Sequence, residues 1–110
     1  MSGANASYGL AVIDALLATP VQVGAAGERI VRTVDIYNGN TAAAFVECFD
    51  TATAPTLPGT PKLVFGVGAN SGRNIQLDAG FLNGVYVAAV TQAGGTVAPS
   101  IGVTCNVVFD

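Results

Sequence analysis

The sequence contains no histidine, and this absence removes the general base of most hydrolytic sites. Ser-His-Asp and Cys-His arrangements, and the zinc sites built on HExxH, all require that side chain. Two carboxylates could still perform acid–base hydrolysis if they lay at a set separation. Asp35 and Glu47 are the candidates, because a hairpin would bring them opposite each other, but solvated surface acids are the simpler interpretation. The sequence therefore predicts a protein that is not an enzyme and has no catalytic residue.

The two cysteines, Cys48 and Cys105, do not form a metal-binding motif. A zinc site would need CxxC pairs or accompanying histidines, and the sequence has neither. The glycines of GVGANSG, residues 66–72, do not match a phosphate-binding loop and precede a strand, so they indicate a turn. We expect two buried thiols that behave as small apolar side chains, with a disulfide as the alternative. We also expect no metal and no cofactor.

Charge is scarce in this chain. Four Lys and Arg residues oppose seven Asp and Glu residues, and charged residues make up 10% of the sequence against about 25% in an average domain. Four scattered cations cannot neutralise a run of phosphates, so we expect no nucleic-acid partner. The surface must be largely neutral, which fits either a monomer with a neutral polar surface or a subunit whose faces other subunits cover. The scarcity of charge favours the second interpretation.

From residue 29 onward the chain consists of short β-rich segments that alternate with Gly, Asn and Pro. This pattern predicts an all-β fold, a single-domain antiparallel β-sandwich of about 6–8 strands with jelly-roll or immunoglobulin-like topology. Residues 85–92 are almost entirely apolar and are expected to form a central strand. The predicted strands cover residues 29–37, 42–50, 62–69, 73–80, 85–92 and 102–110, with a short one at 20–24.

Two connections carry specific expectations. The sequence Asn38-Gly39-Asn40 predicts a tight hairpin between the strands at 29–37 and 42–50, since Asn-Gly tolerates positive φ angles. The proline-rich loop at 51–61 should be stiff and extended, and its length predicts a crossing from one sheet to the other. On the first strand, Ile30, Val34 and Ile36 are expected to share one face, which Arg32 interrupts near a strand end or in an ion pair.

The first 19 residues differ from the rest, so we divide the chain into an N-terminal arm or short element (1–19) and a β-sandwich domain (20–110). The segment lacks the positive charge of a signal peptide, and no stretch of the chain is apolar enough to span a membrane. We therefore expect synthesis in a cytoplasm and no membrane partner. The apolar residues of the segment fit either a helix or an extended arm. As an arm, residues 2–17 would be removable without loss of the fold.

The stretch from Arg29 to about Val90 resembles a group of small bacteriophage virion structural proteins, including head decoration (cement) proteins. In that group an Arg-led strand ends in Tyr-Asn, an aromatic-rich strand and an Ala-Thr-Ala-Pro loop follow, and an apolar strand begins after a glycine. The corresponding residues here are Arg29, Tyr37-Asn38, Phe45-Val46-Glu47-Cys48-Phe49-Asp50, Ala52-Thr53-Ala54-Pro55, Thr60-Pro61 and Gly84 to Thr91.

The resemblance implies a non-enzymatic capsid decoration protein that binds the outside of the assembled head and stabilises it. Its partners would be the lattice of the major capsid protein and further copies of itself, as a homotrimer, and its location the capsid surface of the virion. Another virion component, such as a tail, neck or fibre-base subunit, is an alternative. A carbohydrate-binding module is a further one, with Tyr37, Phe45 and Phe49 on one face. The candidate contact residues lie in the N-terminal segment, the proline-rich loop and this aromatic group: Leu10, Val12, Ile13, Leu16, Leu17, Pro55, Leu57, Pro58, Tyr37, Phe45 and Phe49.

Overall fold

The computed structural model describes residues 8–110, which form eight β-strands. In chain order they are β1 (Gly9–Leu16), β2 (Val21–Val23), β3 (Arg29–Asn38), β4 (Ala44–Asp50), β5 (Leu63–Val67), β6 (Ser71–Phe81), β7 (Val85–Val90) and β8 (Val103–Phe109). In the described range, no helix is long and apolar enough to cross a bilayer. The seven strands that the sequence predicts are present, and β1 is added to them.

The strands form two four-stranded antiparallel sheets packed as a sandwich. Sheet I has the order β1-β8-β3-β6 and sheet II the order β2-β7-β4-β5. The first strand pairs with the eighth, the second with the seventh, the third with the sixth and the fourth with the fifth, so the chain behaves as one long hairpin rolled over on itself. This is jelly-roll topology, which confirms the predicted β-sandwich and decides between the two topologies that the sequence allows.

The core lies between the inner faces of the sheets. Each strand contributes side chains at alternate positions, as period-2 geometry requires. The inward residues of β8 are those expected from the sequence, and β7 is a central strand buried along nearly its whole length, also as expected. The fully buried residues of the core include Leu16, Val23, Val31, Val34, Val46, Val85, Val87, Ala89, Val103 and Cys105.

The predicted hairpin at Asn38-Gly39-Asn40 is wrong. β3 belongs to sheet I and β4 to sheet II, so the turn carries the chain between sheets and the two strands do not pair. Neither Asn38 nor Gly39 has a positive φ angle. The Asn38 side chain is fully buried and serves instead as a hydrogen-bonding centre. The two N–H groups of its Nδ2 are shared among the carbonyl oxygens of Ala42 (2.9 Å), Val67 (3.2 Å) and Gly68 (3.1 Å), so one hydrogen bond is bifurcated.

Asn40 extends this centre to a third connection. Asn38 Oδ1 accepts hydrogen bonds from Asn40 N (3.0 Å) and Asn40 Nδ2 (2.7 Å). Asn40 then exchanges two hydrogen bonds with the backbone of Ile101, each 2.8 Å long. Two asparagines thus fasten the β3–β4, β5–β6 and β7–β8 connections to one another at one end of the sandwich.

The prediction that loop 51–61 crosses between sheets is also wrong. The strands that it joins, β4 and β5, are antiparallel neighbours in sheet II, and the loop is the tip of the rolled hairpin. Its length is used to cover the outer face of its own sheet. A Cβ placed on Gly59 would lie 2.9 Å from the Phe49 ring, so the loop backbone rests directly on that side chain.

A register shift between Val31 and Thr33 corrects the expected facing of β3. The irregularity around Arg32 reverses the alternation, so Val31 is buried with Val34 and Ile36, whereas Ile30 is partly exposed. Such β-bulges add one residue to a strand and re-aim the side chains that precede it. Strict alternation along the strand, which has a period of two residues, does not predict this change of face.

The N-terminal segment is extended from Gly9 to Leu16 and belongs to the sandwich. β1 pairs with β8 along its length, from Gly9 opposite Phe109 to Leu16 opposite Val103, with a register shift between Ile13 and Leu16. Leu16 is fully buried in the core. The structure therefore predicts, contrary to the expectation for a detachable arm, that removing residues 2–17 would destabilise the fold, because β1 and the buried Leu16 side chain would be lost.

Candidate interaction surface

Three of the predicted contact residues lie together on the outer face of sheet I. Leu10 and Val12 of β1 are 62% and 59% exposed, and Tyr37 of β3 is 51% exposed. The registers connect them, because Leu10 pairs with Val108, Val12 pairs with Asn106, and Tyr37 pairs with Thr104 on the same central strand β8. The sequence grouped the first two with the N-terminal segment and Tyr37 with an aromatic cluster; the structure brings them to one surface.

The remaining residues of the N-terminal segment have different surroundings. Ile13 is half-buried against the core and Leu16 is fully buried, so neither forms part of an open surface. Leu17 is exposed at the corner after β1, where its carbonyl oxygen accepts a hydrogen bond from Ala89 N at 2.9 Å.

The predicted aromatic face does not exist, because its members lie on opposite sides of the sandwich. Tyr37 is on the outer face of sheet I, whereas Phe45 and Phe49 are on the outer face of sheet II. Phe45 is half-buried and Phe49 is covered by loop 51–61. Aromatic stacking of a sugar across these three rings is therefore not possible in this fold.

The chain itself covers the centre of the outer face of sheet II, on β4 and β7, whereas Gln22 and Val64 on the edge strands are exposed. Loop 51–61 packs on Phe49, with Pro55 and Leu57 half-buried and Pro58 exposed. The β7–β8 connection covers the other half of the face: its Gly94 N–H donates to Glu47 Oε2 at 2.8 Å, and the Glu47 side chain is only 1% exposed. Glu47 is therefore a buried and hydrogen-bonded carboxylate, which corrects the expectation of a solvated acid.

The two carboxylates considered for acid–base chemistry are separated by the sandwich. Asp35 lies on the outer face of sheet I beside Asn74, and Glu47 lies under the β7–β8 connection on sheet II. Asp50 instead closes the end of sheet II, where it accepts hydrogen bonds from Leu82 N (3.0 Å) and Asn83 N (2.8 Å). These backbone donors, the Leu82 N–H foremost, hold the pKa of Asp50 below its ordinary value.

In contrast to sheet II, no connection covers the outer face of sheet I within the described chain. Its surface residues are mostly small, neutral or apolar, and it carries three carboxylates: Asp35 near the middle, Asp78 at the rim and Asp14 on β1 beside the register shift. The residues of this surface, which we call the open face, are Leu10, Val12, Asp14, Thr33, Asp35, Tyr37, Asn74, Gln76, Asp78, Thr104, Asn106 and Val108.

Arg32 neutralises the charge at the rim of the open face. Its guanidinium contacts Asp78 Oδ1 and Asp110 Oδ2, each at 2.7 Å. This geometry confirms the ion pair that the sequence suggests for an arginine within an otherwise apolar strand. The cluster is exposed, so its contribution to stability is small, but it leaves no free cation on this surface.

The other three cations are also engaged within their own chain. Each lies over an aromatic ring at the margin of the sandwich, at distances that allow a cation–π interaction. The pairs are Arg29 over Phe109 (6.0 Å), Lys62 over Phe81 (5.3 Å) and Arg73 over Phe65 (5.9 Å), measured to the ring centroid. All four positive side chains of the sequence are thus occupied at the perimeter, and none projects from the centre of a face.

The two cysteines are buried as free thiols on facing sheets, which confirms the first of the two interpretations of the sequence. Burial raises the pKa of both thiols, that of Cys105 to about 12. Because the thiolate is the reactive form, both should be inert in the folded protein.

We expect Cys48 and Cys105 to be unreactive toward a thiol-specific reagent such as dithionitrobenzoate in the native protein at pH 8. Both should react fully once the chain is unfolded in guanidinium chloride, so absorbance counts zero thiols before unfolding and two afterwards. Rapid reaction of either thiol without denaturant would contradict this packing. A peptide containing an exposed cysteine provides the positive control for the reagent.

Neither a protein-family model nor a curated protein matches the sequence. Among solved structures, the chain is similar to two crystal structures of the Tobacco streak virus coat protein. One has 10% sequence identity and a TM-score of 0.42, with 93% of this chain and 83% of that chain covered. The other, a coat protein dimer, has 9% identity and a TM-score of 0.43, with 93% and 84% covered. This similarity concerns the course of the chain and assigns no activity to it.

Jelly rolls occur in viral capsid proteins, lectins and cupins, so the topology alone does not choose a function. The surface is more informative. The centre of one face is covered by its own connections, the open face is largely uncharged and partly apolar apart from Asp14 and Asp35, and every cation is engaged at the edges. Such a surface is suited to contact with another neutral protein surface, because few charges would lose their hydration on binding.

Proposed function

We propose that this protein is a bacteriophage capsid decoration (cement) protein, which binds the outside of the assembled head and stabilises it without enzymatic activity. The observation that carries the proposal is the asymmetry of the sandwich, with a sheet II whose centre the chain itself covers and an open face of mostly neutral and apolar residues on sheet I. The resemblance of residues 29–90 to small virion proteins supports the same conclusion from the sequence.

The physical advantage of such a surface lies in desolvation. A rigid sheet loses little conformational freedom when it binds, and neutral side chains lose little hydration. If the protein binds the assembled lattice and not the separated subunits, its binding free energy adds to the stability of the shell by mass action. The partner in this proposal is the lattice of the major capsid protein, and the location is the outer surface of the virion.

We propose a smaller set of contact residues than the sequence suggests. The open face and loop 51–61 lie on opposite sides of the sandwich, so a smooth shell contacts one of them but not both. Leu16 and Phe49 are buried and Ile13 packs against the core, so these three leave the set of contact residues. We assign the contact to the open face, with Leu10, Val12 and Tyr37 as its apolar anchors. The homotrimeric arrangement that the resemblance implies stays a prediction, as an alternative to a two-fold dimer.

The proposal predicts that the purified protein cosediments with emptied heads that lack it, and saturates at a copy number comparable to that of the major capsid protein. Tyr37→Lys, which places an amine toward one end of the open face, should weaken binding by roughly tenfold or more, because it removes an aromatic anchor and adds a charge that must be desolvated. Thr56→Lys is the matched control, because it adds the same charge to the exposed side of loop 51–61.

Three results would argue against this assignment. Saturation at a few copies per particle would indicate a tail, neck or fibre-base component. Loss of binding in Thr56→Lys but not in Tyr37→Lys would show that the loop side faces the shell. Absence of any binding to heads by the folded wild-type protein would overturn the decoration function itself.

A further inference from the structure

The four edge strands of the sandwich are protected to very different degrees. An edge strand exposes unpaired N–H and C=O groups, and proteins usually guard it by shortness, proline, charge or irregularity. β2 has only three residues, and β5 has five and follows Pro61 and Lys62. β6 carries Arg73, whose Nη1 donates to Gly66 O at 3.0 Å and spans the gap to the other sheet. Three of the four edges therefore have a visible guard.

β1 is the exception over most of its length. It has eight residues, and within the described chain its only hydrogen-bonded neighbour is β8. Its two guards, the charge of Asp14 and the register shift between Ile13 and Leu16, both lie at its C-terminal end, so Gly9–Ile13 is a regular edge without charge, proline or irregularity. Leu10 and Val12, on the outer face of this edge strand, also have more than half of their surface exposed. A regular edge segment with exposed apolar side chains, such as Gly9–Ile13, is a template for pairing with another strand.

We propose that β1 pairs with β1 of a second copy, antiparallel about a two-fold axis at Ala11, so that two sheets I join into one eight-stranded sheet. Identical antiparallel strands form an isologous contact, in which each copy uses the same surface. The proposal does not depend on the function assigned above, since it concerns the purified protein alone.

The residue pattern of β1 fixes this register. A two-fold axis at Ala11 places Leu10 of each copy opposite Val12 of the other, and Asp14 opposite Tyr8. An axis at Val12 would place Leu10 opposite Asp14 and lose an apolar pair. An axis at Leu10 would keep the apolar pairs but join a shorter stretch of the described strand. The side-chain alternation excludes axes between residues, because they would pair inward positions with outward ones.

Charge is compatible with this pairing as well. The two Asp14 side chains would stand six residues apart along the joined strands, which is roughly 20 Å at about 3.4 Å per residue. This separation exceeds the Debye length of about 10 Å at ordinary ionic strength, so their repulsion is largely screened. Pairing between the β1 strands of two copies therefore forms matched apolar pairs and backbone hydrogen bonds, and it brings no like charges close together.

The contact also extends the open face. The outer surfaces of the two sheets I would become continuous across the two-fold axis, with Leu10 and Val12 of both copies at its centre. The interface consists of one strand pair and a few apolar side chains, which places it at the small end of specific interfaces. We therefore expect a reversible dimer whose population depends on protein concentration.

Analytical ultracentrifugation of the purified protein from about 1 µM to about 1 mM tests this proposal. Wild type should shift from monomer to dimer across that range. Val12→Lys should raise the dissociation constant by at least roughly tenfold, because an edge lysine opposes strand pairing. Val97→Lys is the matched control: it makes the same change at an exposed valine in the β7–β8 connection, away from every sheet edge, and should leave the dimer unchanged.

Disulfide formation between introduced cysteines tests the register of the strand pair, which the mass of the dimer does not report. When Leu10→Cys and Val12→Cys proteins are mixed and oxidised, mixed disulfide dimers should dominate over those formed by either variant alone, since directly opposed Cβ atoms lie about 4.5–5.5 Å apart. A monomer at every concentration, a trimer, or a dimer that Val12→Lys does not weaken would each overturn the proposal.

Discussion

Replacing Asn38 by alanine should lower the free energy of unfolding by about 3–5 kcal/mol, although Asn38 belongs neither to the apolar core nor to the open face. Its buried amide donates to three carbonyl oxygens and accepts two hydrogen bonds from Asn40. Alanine cannot replace any of these partners, and each buried polar group left unsatisfied costs about 1–3 kcal/mol. The three connections at this end of the sandwich would lose their common attachment.

Urea denaturation followed by circular dichroism measures this loss, and the melting temperature should fall by roughly 15 °C. Asn38→Asp isolates the donors: it keeps an oxygen toward Asn40 but turns an oxygen toward the three carbonyls, so it should be as damaging as alanine. Asn74→Ala is the control, since Asn74 is exposed on β6 and makes one long contact of 3.4 Å to Asp35. A change below about 1 kcal/mol for Asn38→Ala would show that water replaces the amide and that the network is dispensable.

Asn38 also shows that the sequence predicts the position of a turn but not which strands the turn connects. Asn-Gly correctly indicates a change of chain direction, because these residues favour turns. Whether the turn joins paired strands or two sheets depends on the pairing of distant strands. In the jelly roll only β4 and β5 are neighbours both in the sequence and in a sheet, so local turn signals cannot reveal the other pairings. The one connection expected to cross between sheets, loop 51–61, is the one that does not.

Most strands can be predicted from the sequence, because inward apolar residues alternate with outward polar ones. β6 is the clearest case, with Ile75 and Leu77 inward and Asn74 and Gln76 outward, as the sequence predicts. In β1 the sequence shows no alternation of apolar and polar residues over Leu10 to Ile13, because the outward residues Leu10 and Val12 are as apolar as the inward ones. A strand that is apolar on both sides resembles a short buried helix in pattern, so the sequence alone leaves both conformations open.

The same apolar outward residues also bear on the proposed contact surface, of which the sequence identifies only a part. Scarcity of charge indicated that some surface is covered by partners, and the exposed Leu10, Val12 and Tyr37 agree with this in position. Which face is open could not be predicted, because it depends on where two connections fold. The burial of Glu47 under Gly94 and of Phe49 under Gly59 is a tertiary effect without a local signal.

Two adjacent leucines provide the sharpest test of how β1 is attached. Leu16 is 0% exposed and Leu17 is 40% exposed. Leu16→Ala should therefore lower the free energy of unfolding by about 2–5 kcal/mol, because it removes buried methyl groups and leaves a cavity beside Val103, its partner in β8. Leu17→Ala, the same chemical change one residue later, should cost less than about 1 kcal/mol, as expected for a partly exposed side chain.

The comparison decides between an integral strand and a detachable arm. If residues 9–16 formed an arm that folds only on a partner, both substitutions would leave the stability of the isolated protein unchanged and would act on binding alone. If β1 completes the sandwich, Leu16→Ala must lower the urea midpoint while the dependence of free energy on urea stays the same, since an unchanged slope indicates that the same surface is exposed on unfolding. Equal midpoints for the two variants would refute the structural role of β1, and with it the edge on which pairing between copies depends.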